Sequence, residues 1–442
     1  MHFRGYFDTA LNQRRNYPVF VSSSHDLCRL HPLHCMPDLV FALVANPYRN
    51  SRALRQIRLL VDMGLNVHVL ATEDANDGID LGPSVVVERV PVRAGQGSTR
   101  FLEISRRFLK AAKGIDAKHF HASDLYVLGA MAKAADRAPS GNATYSYDAR
   151  ECYPHVAATV GRPWVSRYWQ WMERRFVLNA AFVFTVSESI ATHMTKIYGI
   201  ERPHVVMNVP ESLSFEPSDF LRREIGLSDR PKTPIILHLG QMRRDRGCEI
   251  LVQSMVHVDR AHLVFLGSGP LLPTLSDLAS ESGLADRVHF IEPVSPDRVL
   301  SVTCGAAIGV TLLQGTCLNH EFALPNKLFE YISAGVPVAA SGLVELKRII
   351  SATGVGCSVM EYDPLSVGKT LQNMLTDPVS MKRWSAAALK ATETFNWDVA
   401  SQPFREAFRA LSIPNEIPHD HIAGSSTFHA DNDIGRHRSG QA

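Results

Sequence analysis

The sequence has no apolar run long enough to cross a membrane. It also lacks the apolar core of a signal peptide, although Arg4, Arg14 and Arg15 make its first residues basic. Its charges nearly cancel: 46 basic and 44 acidic side chains give a net charge of +2, which is no sign of a general nucleic-acid binder. The seven cysteines are odd in number and follow no disulfide framework. Together these absences favour a protein of the reducing cytoplasm.

Length and hydrophobic periodicity predict two α/β domains. A chain of 442 residues is too long for one core. Short apolar runs alternate with amphipathic segments, which is typical of doubly wound parallel sheets whose two faces are covered by helices. Ligands of such Rossmann-like domains bind at the carboxyl ends of the strands, so we expect a site at an interdomain cleft.

The predicted boundaries follow composition. We expect an extension at 1–37, a first domain at 38–210, a linker at 211–233 and a second domain at 234–396, followed by a helix at 397–411 that packs back on the first domain and a disordered tail at 412–442. The predicted strands lie at 39–45, 66–71, 85–92, 119–121, 143–147, 182–186 and 205–208 in the first domain, and at 235–239, 263–266, 288–291, 307–313 and 338–340 in the second.

The most informative segment is 324–341, LPNKLFEYISAGVPVAAS. Pro325 suits a helix start, and Gly335 suits the residue just after a helix end. Lys327 and Glu330 are three residues apart, so they share one helix face near the N-terminus. Helix amides and a lysine attract an anion, and the acid one turn later suits sugar hydroxyls. The segment predicts a diphosphate site; an ordinary surface helix is the alternative.

Two loops of the second domain support this interpretation. The strand PIILHLG ends at Gly240 and leads into a basic loop with Arg243, Arg244 and Arg246, which indicates a second anion site or else a solvated turn. The strand in LVFLGSGP ends at Gly267, where a missing side chain lets a ligand approach the backbone or simply allows a tight turn.

In order and spacing these segments, with VHFIEPVSPDRVL, resemble the donor half of family 4 glycosyltransferases, particularly a bacterial branch with PNKLFEY followed by AGVPV. The resemblance covers about 38–411 and implies the GT-B fold. It implies that Arg246 and Lys327 hold a diphosphate, that Glu330 binds ribose hydroxyls, and that Leu328 adds an amide to the distal phosphate. Pro293 and Val294 would contact the base, and Gly240, Arg243 and Gly267 would complete the donor site.

The sequence departs from that family pattern at two positions. Many relatives have an acid eight residues before Glu330, where this chain has Phe322, with Glu321 out of register. Many also have arginine directly after the glycine of the first loop, where this chain has Gln241. Arg243 or Arg244 would supply the missing positive charge.

The first domain adds KHFHASDLYVLGA, TYSYDARECYPH and FVFTVSESIATHM, in the order of the same family. The resemblance aligns His121 with an active-site histidine that contacts the transferred sugar, although a lone histidine is more often hydrogen-bonded in a core. Asp124 suits a helix N-cap. We predict Asp124, Asp148 and Glu151 on the acceptor side of the cleft; the alternative for Asp148 is binding of loop amides.

The resemblance implies a retaining, metal-independent glycosyltransferase that moves a sugar from a nucleoside-diphosphate sugar to a hydroxyl acceptor. It requires no cofactor, and its acceptor would be a lipid-linked glycan or another hydroxyl compound of surface-polysaccharide assembly. Two alternatives stay open: a nucleotide-sugar epimerase on the same fold, and a catalytically silent sugar-nucleotide-binding protein.

Two further patterns carry weaker predictions. Aromatic residues alternate with arginines over 162–176, which indicates weak peripheral contact with an anionic membrane, although helical spacing favours a packed helix. A cluster of His25, Cys28, His31, His34 and Cys35 raises a zinc hypothesis, but its spacing matches no standard site. The tail histidines, including His419 and His421, give a still weaker indication of metal binding.

Overall fold

The computed structural model describes residues 36–76, 78–93, 95, 97–212 and 214–412. The zinc hypothesis at 25–35 and nearly all of the predicted tail, including His419 and His421, lie outside these residues. No helix in the described part of the chain combines the length and apolarity needed to cross a membrane.

Thirteen strands in the described residues form two sheets in which paired strands are parallel. The first sheet contains β1 Leu39–Leu43, β2 Val67–Ala71, β3 Val85–Arg89, β4 His119–Ala122, β5 Thr144–Ala149, β6 Phe182–Thr185 and β7 His204–Val205. The second contains β8 Ile235–Leu239, β9 His262–Leu266, β10 Val288–Ile291, β11 Ile308–Thr311, β12 Val338–Ser341 and β13 Gly356–Val359.

The described helices lie between these strands and after them. They are α1 Ser51–Asp62, α2 Ser98–Ala112, α3 Leu125–Ala135, α4 Pro163–Val177, α5 Glu188–Tyr198, α6 Phe220–Glu224, α7 Cys248–Ser254, α8 Leu272–Glu281, α9 Val299–Thr303, α10 Leu318–Glu321, α11 Asn326–Ser333, α12 Val344–Thr353, α13 Pro364–Thr376, α14 Pro378–Ala391, α15 Trp397–Ala400 and α16 Gln402–Ser412. Short 3₁₀ turns occupy Tyr153–His155, Ala157–Thr159, Met255–His257 and Pro296–Arg298.

Both sheets reverse their strand order once. The first has the order β3-β2-β1-β4-β5-β6-β7, and the second has β10-β9-β8-β11-β12-β13. The order reverses between β1 and β4 and between β8 and β11, and ligands of doubly wound sheets bind at the carboxyl end of such a point. This architecture confirms the predicted fold class of two Rossmann-like parallel-sheet domains.

The predicted strands are all present within a few residues, but β13 was missed. Its sequence is short and only half-buried, so it lacks a clear apolar run. Gly356 is required there, because a Cβ at this position would lie 1.9 Å from the carbonyl oxygen of Val338 on β12. The periodicity of the sequence does not reveal such a close approach between the backbones of two strands.

The segment predicted as a linker contains α6, and its Leu221 and Leu227 are buried in the core of the second domain. The predicted helix at 397–411 consists of α15 and α16, which belong to the core on one face of the first sheet. Phe404 and Phe408 of α16 contact the Phe184 ring on β6, with centroid distances of 4.9 Å and 5.8 Å. The last described helix therefore covers the first sheet.

Candidate active site

A cavity of about 640 Å³ lies between the two domains. The first domain contributes the start of α1 and the segment after β5, including Arg150 and Glu151, and the second contributes Arg246 and the start of α11. A second opening of about 380 Å³ shares Asn208 and Asn326 with it and reaches Glu330. The openings together are large enough for a small charged ligand.

The start of α11 brings a helix N-terminus to this cavity, and Lys327 lies in the first turn of that helix. Pro325 is the N-cap with extended backbone and makes no side-chain cap bond, so the helix begins one residue later than predicted. First-turn amides have no acceptor inside a helix and are directed outward. The amide of Leu328 is an exception, because it donates to the Pro325 carbonyl oxygen at 3.1 Å. The phosphate contact predicted for this amide stays a prediction.

Lys327 is positioned by a buried histidine of β8. Its ammonium nitrogen lies 3.1 Å from Nε2 of His238, whose own pKa is held well below its ordinary value by burial and by Lys327. Neutral His238 can accept from the ammonium group. Burial lowers the pKa of Lys327 to about 8, with Arg246 adding to this effect and Glu330 opposing it. Lys327 is therefore charged at neutral pH, and its positive charge is incompletely compensated by nearby anions.

Arg246 lies at the carboxyl end of β8, as predicted. Asp245 before it has φ of 66°, and its carbonyl oxygen accepts from the Gln314 amide at 2.9 Å, which fixes the loop against the segment after β11. Burial lowers the pKa of Arg246, whereas the carboxylate of Glu151 in the first domain raises it. Arg246 thus interacts with Glu151 across the cavity and with Lys327 within its own domain.

Glu330 lies one turn after Lys327 on the same helix face. Burial raises its pKa, while Lys327 and Arg55 of α1 lower it. The predicted base-contact segment is close by, because Pro296 and Asp297, just after Pro293 and Val294, line the opening that Glu330 also lines. Pro293 is exposed and Val294 packs partly on the second core. Glu330 of α11 and the residues that follow Pro293 and Val294 therefore line one opening, whereas Pro293 and Val294 themselves do not line it.

The two glycines of the donor loops contact each other. Gly240 has φ of 89° and Gly267 has φ of 154°, and a Cβ on Gly267 would lie 2.0 Å from the Gly240 carbonyl oxygen. The glycine requirement at Gly267 comes from this backbone contact, whereas a Cβ on Gly240 would meet nothing within 4 Å and only its positive φ favours glycine. Arg243 is exposed on the same loop.

His121 is buried in the first domain, and its predicted contact with a sugar is wrong for this structure. Its side chain has 0% exposure, and burial lowers its pKa to about 4. The Nδ1 atom lies 2.7 Å from Ser146 Oγ, and the ring packs on Phe41 and on Phe404 of α16. Both faces of a parallel sheet are covered, and the face that His121 occupies is closed by α16.

Asp148 and Asp124 also have internal partners. Both oxygens of Asp148 accept from the Arg52 guanidinium, at 2.7 Å and 2.8 Å, and Gln56 donates to the same carboxylate at 2.9 Å. Asp124 caps α3 by accepting from the Tyr126 amide at 3.0 Å, which confirms the predicted N-cap. With exposures of 0% and 1%, neither carboxylate reaches the acceptor side of the cleft as predicted. Glu151 is exposed and lines the cavity.

Phe322, at the position where the family pattern predicts an acid, contacts the first domain. Its ring packs against the first core and lies 5.8 Å from the His193 ring, and its carbonyl oxygen accepts from Ser187 Oγ at 2.8 Å. The carboxylate of Glu321 instead covers Gly315, where a Cβ would meet Oε1 at 2.0 Å. The substitution thus replaces a charge by an interdomain contact.

Sequence reasoning missed three functional candidates: His238, Arg55 and Asn208. His238 is the single polar residue of the strand IILHL, and a polar residue in an otherwise apolar strand indicates a candidate functional position. Arg55 belongs to the amphipathic face of α1, where nothing local distinguishes it from its neighbours. Asn208 donates to Oδ1 of Asn326 at 2.8 Å across the domains, a contact that only the tertiary fold creates.

Two family models match the chain in succession. A glycosyl transferase 4-like domain matches residues 50–210, and a glycosyl transferases group 1 domain matches residues 233–377. The D-inositol 3-phosphate glycosyltransferase of Xylanimonas cellulosilytica is 28% identical over 49% of this chain and 54% of its own length. The D-inositol 3-phosphate glycosyltransferase of Streptomyces avermitilis is 29% identical over 54% of this chain and 53% of its own length. The chain therefore spans about half the length of these curated relatives.

Solved structures show the same fold at lower identity. Sucrose-phosphate synthase from Thermosynechococcus elongatus has a TM-score of 0.71 at 18% identity, with 84% of this chain and 98% of that chain covered. HepE of Anabaena, solved in complex with UDP-glucose, has a TM-score of 0.67 at 14% identity, with 84% and 99% covered. The two successive domain matches and the shared GT-B fold show that this chain belongs to the family 4 type of glycosyltransferases.

Proposed function

We propose that the protein is a retaining glycosyltransferase that moves a sugar from a nucleoside-diphosphate sugar to a hydroxyl acceptor without a metal cofactor. The observation that carries this proposal is that Arg246 and the N-terminus of α11 line the interdomain cavity, with Lys327 in electrostatic range of Arg246 and Glu330 lining the adjoining opening. Retention and a role in surface-polysaccharide assembly are carried over from the family.

Charge supports a diphosphate as the ligand. Arg246 lowers the pKa of Lys327, so the two cations repel each other in the ligand-free protein. An anion between them would relieve this repulsion and would also accept from the helix amides. Glu330 would bind ribose hydroxyls, and the loop after β10 would contact the base. The solved complex of HepE with UDP-glucose makes a uridine nucleotide the first ligand to test.

The same groups would lower the reaction barrier. As the bond to the sugar breaks, negative charge grows on the outer phosphate, where Arg246, Lys327 and the amides can stabilise it. The leaving phosphate would accept the proton of the attacking hydroxyl. Glu151, which interacts with Arg246 from the first domain, would face the acceptor. Contact between the domains through Phe322 would help to exclude water from the donor.

A panel of nucleotide sugars tests this proposal. We expect one donor to raise the thermal midpoint of unfolding and to release its nucleoside diphosphate when a hydroxyl acceptor is added. Conversion of that donor to an isomer without acceptor would instead identify an epimerase. Tight nucleotide binding with no release from any donor and acceptor pair would identify a silent binding protein.

Lys327→Ala tests the mechanism. Loss of one cationic contact to the developing charge should lower turnover about a hundredfold, equivalent to about 3 kcal/mol of barrier. Lys347→Ala changes an exposed lysine of α12 and is the matched control. Near-normal turnover of Lys327→Ala, with a fold verified by circular dichroism, would remove this residue from the mechanism.

We also propose that α4 contacts an anionic membrane that carries the acceptor. Its Trp164, Tyr168 and Trp171 are 68%, 46% and 56% exposed and lie on one helix face at spacings of four and three residues. Arg167 and Arg175 beside them are also exposed. Trp169 and Phe176, in contrast, pack on the first core, so the helix is packed on one face and open on the other.

Vesicle binding tests this contact. We expect the chain to bind vesicles containing phosphatidylglycerol and to bind neutral vesicles less, because both aromatic insertion and arginine charge contribute. Trp164→Ser with Trp171→Ser should abolish most of this binding, whereas Val379→Ser, at an exposed apolar position of α14, should not. Equal binding of the two variants would exclude α4 as the contact.

A further inference from the structure

Three metal-binding side chains outside the proposed donor site lie together in the first domain. They are Cys152, His155 and His193, and one ligand atom from each lies within 4.8 Å of the others. Cys152 is buried, and both histidines are partly buried. Cys152 also belongs to the first hydrophobic core, but core packing does not require two imidazoles beside its thiol.

Local geometry brings the three residues together. Cys152 and His155 are three apart across the 3₁₀ turn Tyr153–His155, and side chains with this spacing lie above one another in such a turn. His193 comes from the middle of α5, and its ring centroid lies 5.4 Å from that of His155, with the ring planes at 78°. The site thus joins the segment after β5 to a neighbouring helix.

One ring nitrogen of this cluster is unsatisfied. Among the described residues, Nε2 of His193 is buried without a hydrogen-bond partner. Buried polar atoms usually have a partner, so this nitrogen indicates a missing ligand.

We propose that Cys152, His155 and His193 bind a zinc ion. A thiolate and two imidazoles suit zinc, whereas magnesium and calcium require oxygen ligands. Binding would form one Zn–S and two Zn–N bonds and would release the Cys152 thiol proton to solvent. Three protein ligands leave a fourth position, which Cys317 of the second domain or a water would fill.

Neighbouring contacts place this site at the domain interface. The Cys152 amide donates to Oδ1 of Asn319 at 2.7 Å, and Cys317 contributes to the raised pKa of the Cys152 thiol. The Phe322 ring lies 5.8 Å from that of His193. A bound ion would therefore stabilise the part of the first domain that α10 contacts.

Cobalt and zinc titrations of the full chain, stripped with a chelator, test the site. We expect cobalt to produce a thiolate-to-cobalt charge-transfer band that one equivalent of zinc abolishes, and zinc to raise the thermal midpoint by a few degrees. Cys152→Ser should lose the band, His193→Gln should weaken zinc binding at least tenfold, and Cys357→Ser, a partly buried cysteine of β13, should retain both properties.

The zinc hypothesis at 25–35 is the competing explanation of metal binding, so a Cys28→Ser, Cys35→Ser chain is the decisive control. The Cys28→Ser, Cys35→Ser chain should retain the charge-transfer band and the thermal shift. Loss of both properties in that chain, together with their retention in Cys152→Ser, would overturn the proposal. His155→Gln serves if Cys152→Ser fails to fold, because His155 is only partly buried. A normal band in a folded His155→Gln chain would likewise overturn it. A band of unchanged intensity in Cys317→Ser would assign the fourth position to water, because each cobalt–thiolate bond contributes its own share of that intensity.

Discussion

The two sides of the cleft hold their charges in different ways. In the second domain, Arg246, Lys327 and Glu330 are partly exposed and their charges are incompletely compensated. In the first domain, Arg52 and Asp148 satisfy each other in the core, with Gln56 as a third partner. Uncompensated charge is available to a ligand, whereas the compensated pair contributes to stability.

Removal of Asp148 tests whether the compensated pair in the first domain stabilises the fold, and it should cause the largest loss of unfolding free energy. Asp148→Ala leaves Arg52 buried without its carboxylate, and such a change costs about 3–5 kcal/mol of unfolding free energy. Urea denaturation measures the difference. Asp229→Ala, which removes a surface partner of Arg230, should change stability little. A small effect of Asp148→Ala would show that water compensates Arg52.

Glu173 of α4 extends the test to a buried acid. It accepts from Tyr147 at 2.7 Å and Tyr198 at 2.6 Å, and burial raises its pKa from 4.5 to about 7. The folded chain thus retains a proton that the unfolded chain loses between these values, so stability should fall by at most about 3 kcal/mol as pH rises from about 4.5 to about 7.

Glu173→Gln should remove this pH dependence, because the amide remains neutral and can still pair with both tyrosines. Denaturation at pH 5 and pH 8 provides the measurement, with the exposed Glu188→Gln as control. An unchanged slope in Glu173→Gln would mean that another group titrates.

Glu330→Gln tests the ligand-binding side. Loss of a charged acceptor for ribose hydroxyls should weaken nucleotide binding by about 1.5–3 kcal/mol, or roughly tenfold to a hundredfold. Calorimetry with a nucleoside diphosphate measures this change. Glu292→Gln, an exposed acid after β10, is the control, and unchanged affinity of Glu330→Gln would contradict the ribose contact.

The pH dependence of nucleotide binding sharpens the assignment of Lys327. Because burial lowers its pKa to about 8, the ammonium charge is present below that pH and lost above it. Nucleotide affinity should therefore fall up to about tenfold per pH unit above pH 8. Lys327→Met should bind more weakly at pH 7 and show little further loss up to pH 9. Equal slopes for both proteins would assign the titration to another group.

His121→Gln should have the smallest effect on catalysis. The ring is fully buried and bonded to Ser146, so we expect a stability loss of about 1 kcal/mol and nearly unchanged turnover per folded molecule. Turnover normalised to the folded fraction distinguishes the two effects. A hundredfold loss of normalised turnover would return His121 to the active site.

The sequence by itself determined the sheet-and-helix alternation and the helix that starts beside Pro325. It also placed Lys327 and Glu330 on one face, because these features depend on residues a few positions apart. The side chain of His121 is enclosed by α16, and that of Asp148 is bound by Arg52. Both partners lie far away in the chain, so local sequence does not show that these side chains are buried. Only the tertiary structure decided whether these side chains reach the cleft, since both faces of a parallel sheet are covered and local periodicity does not show which face is closed.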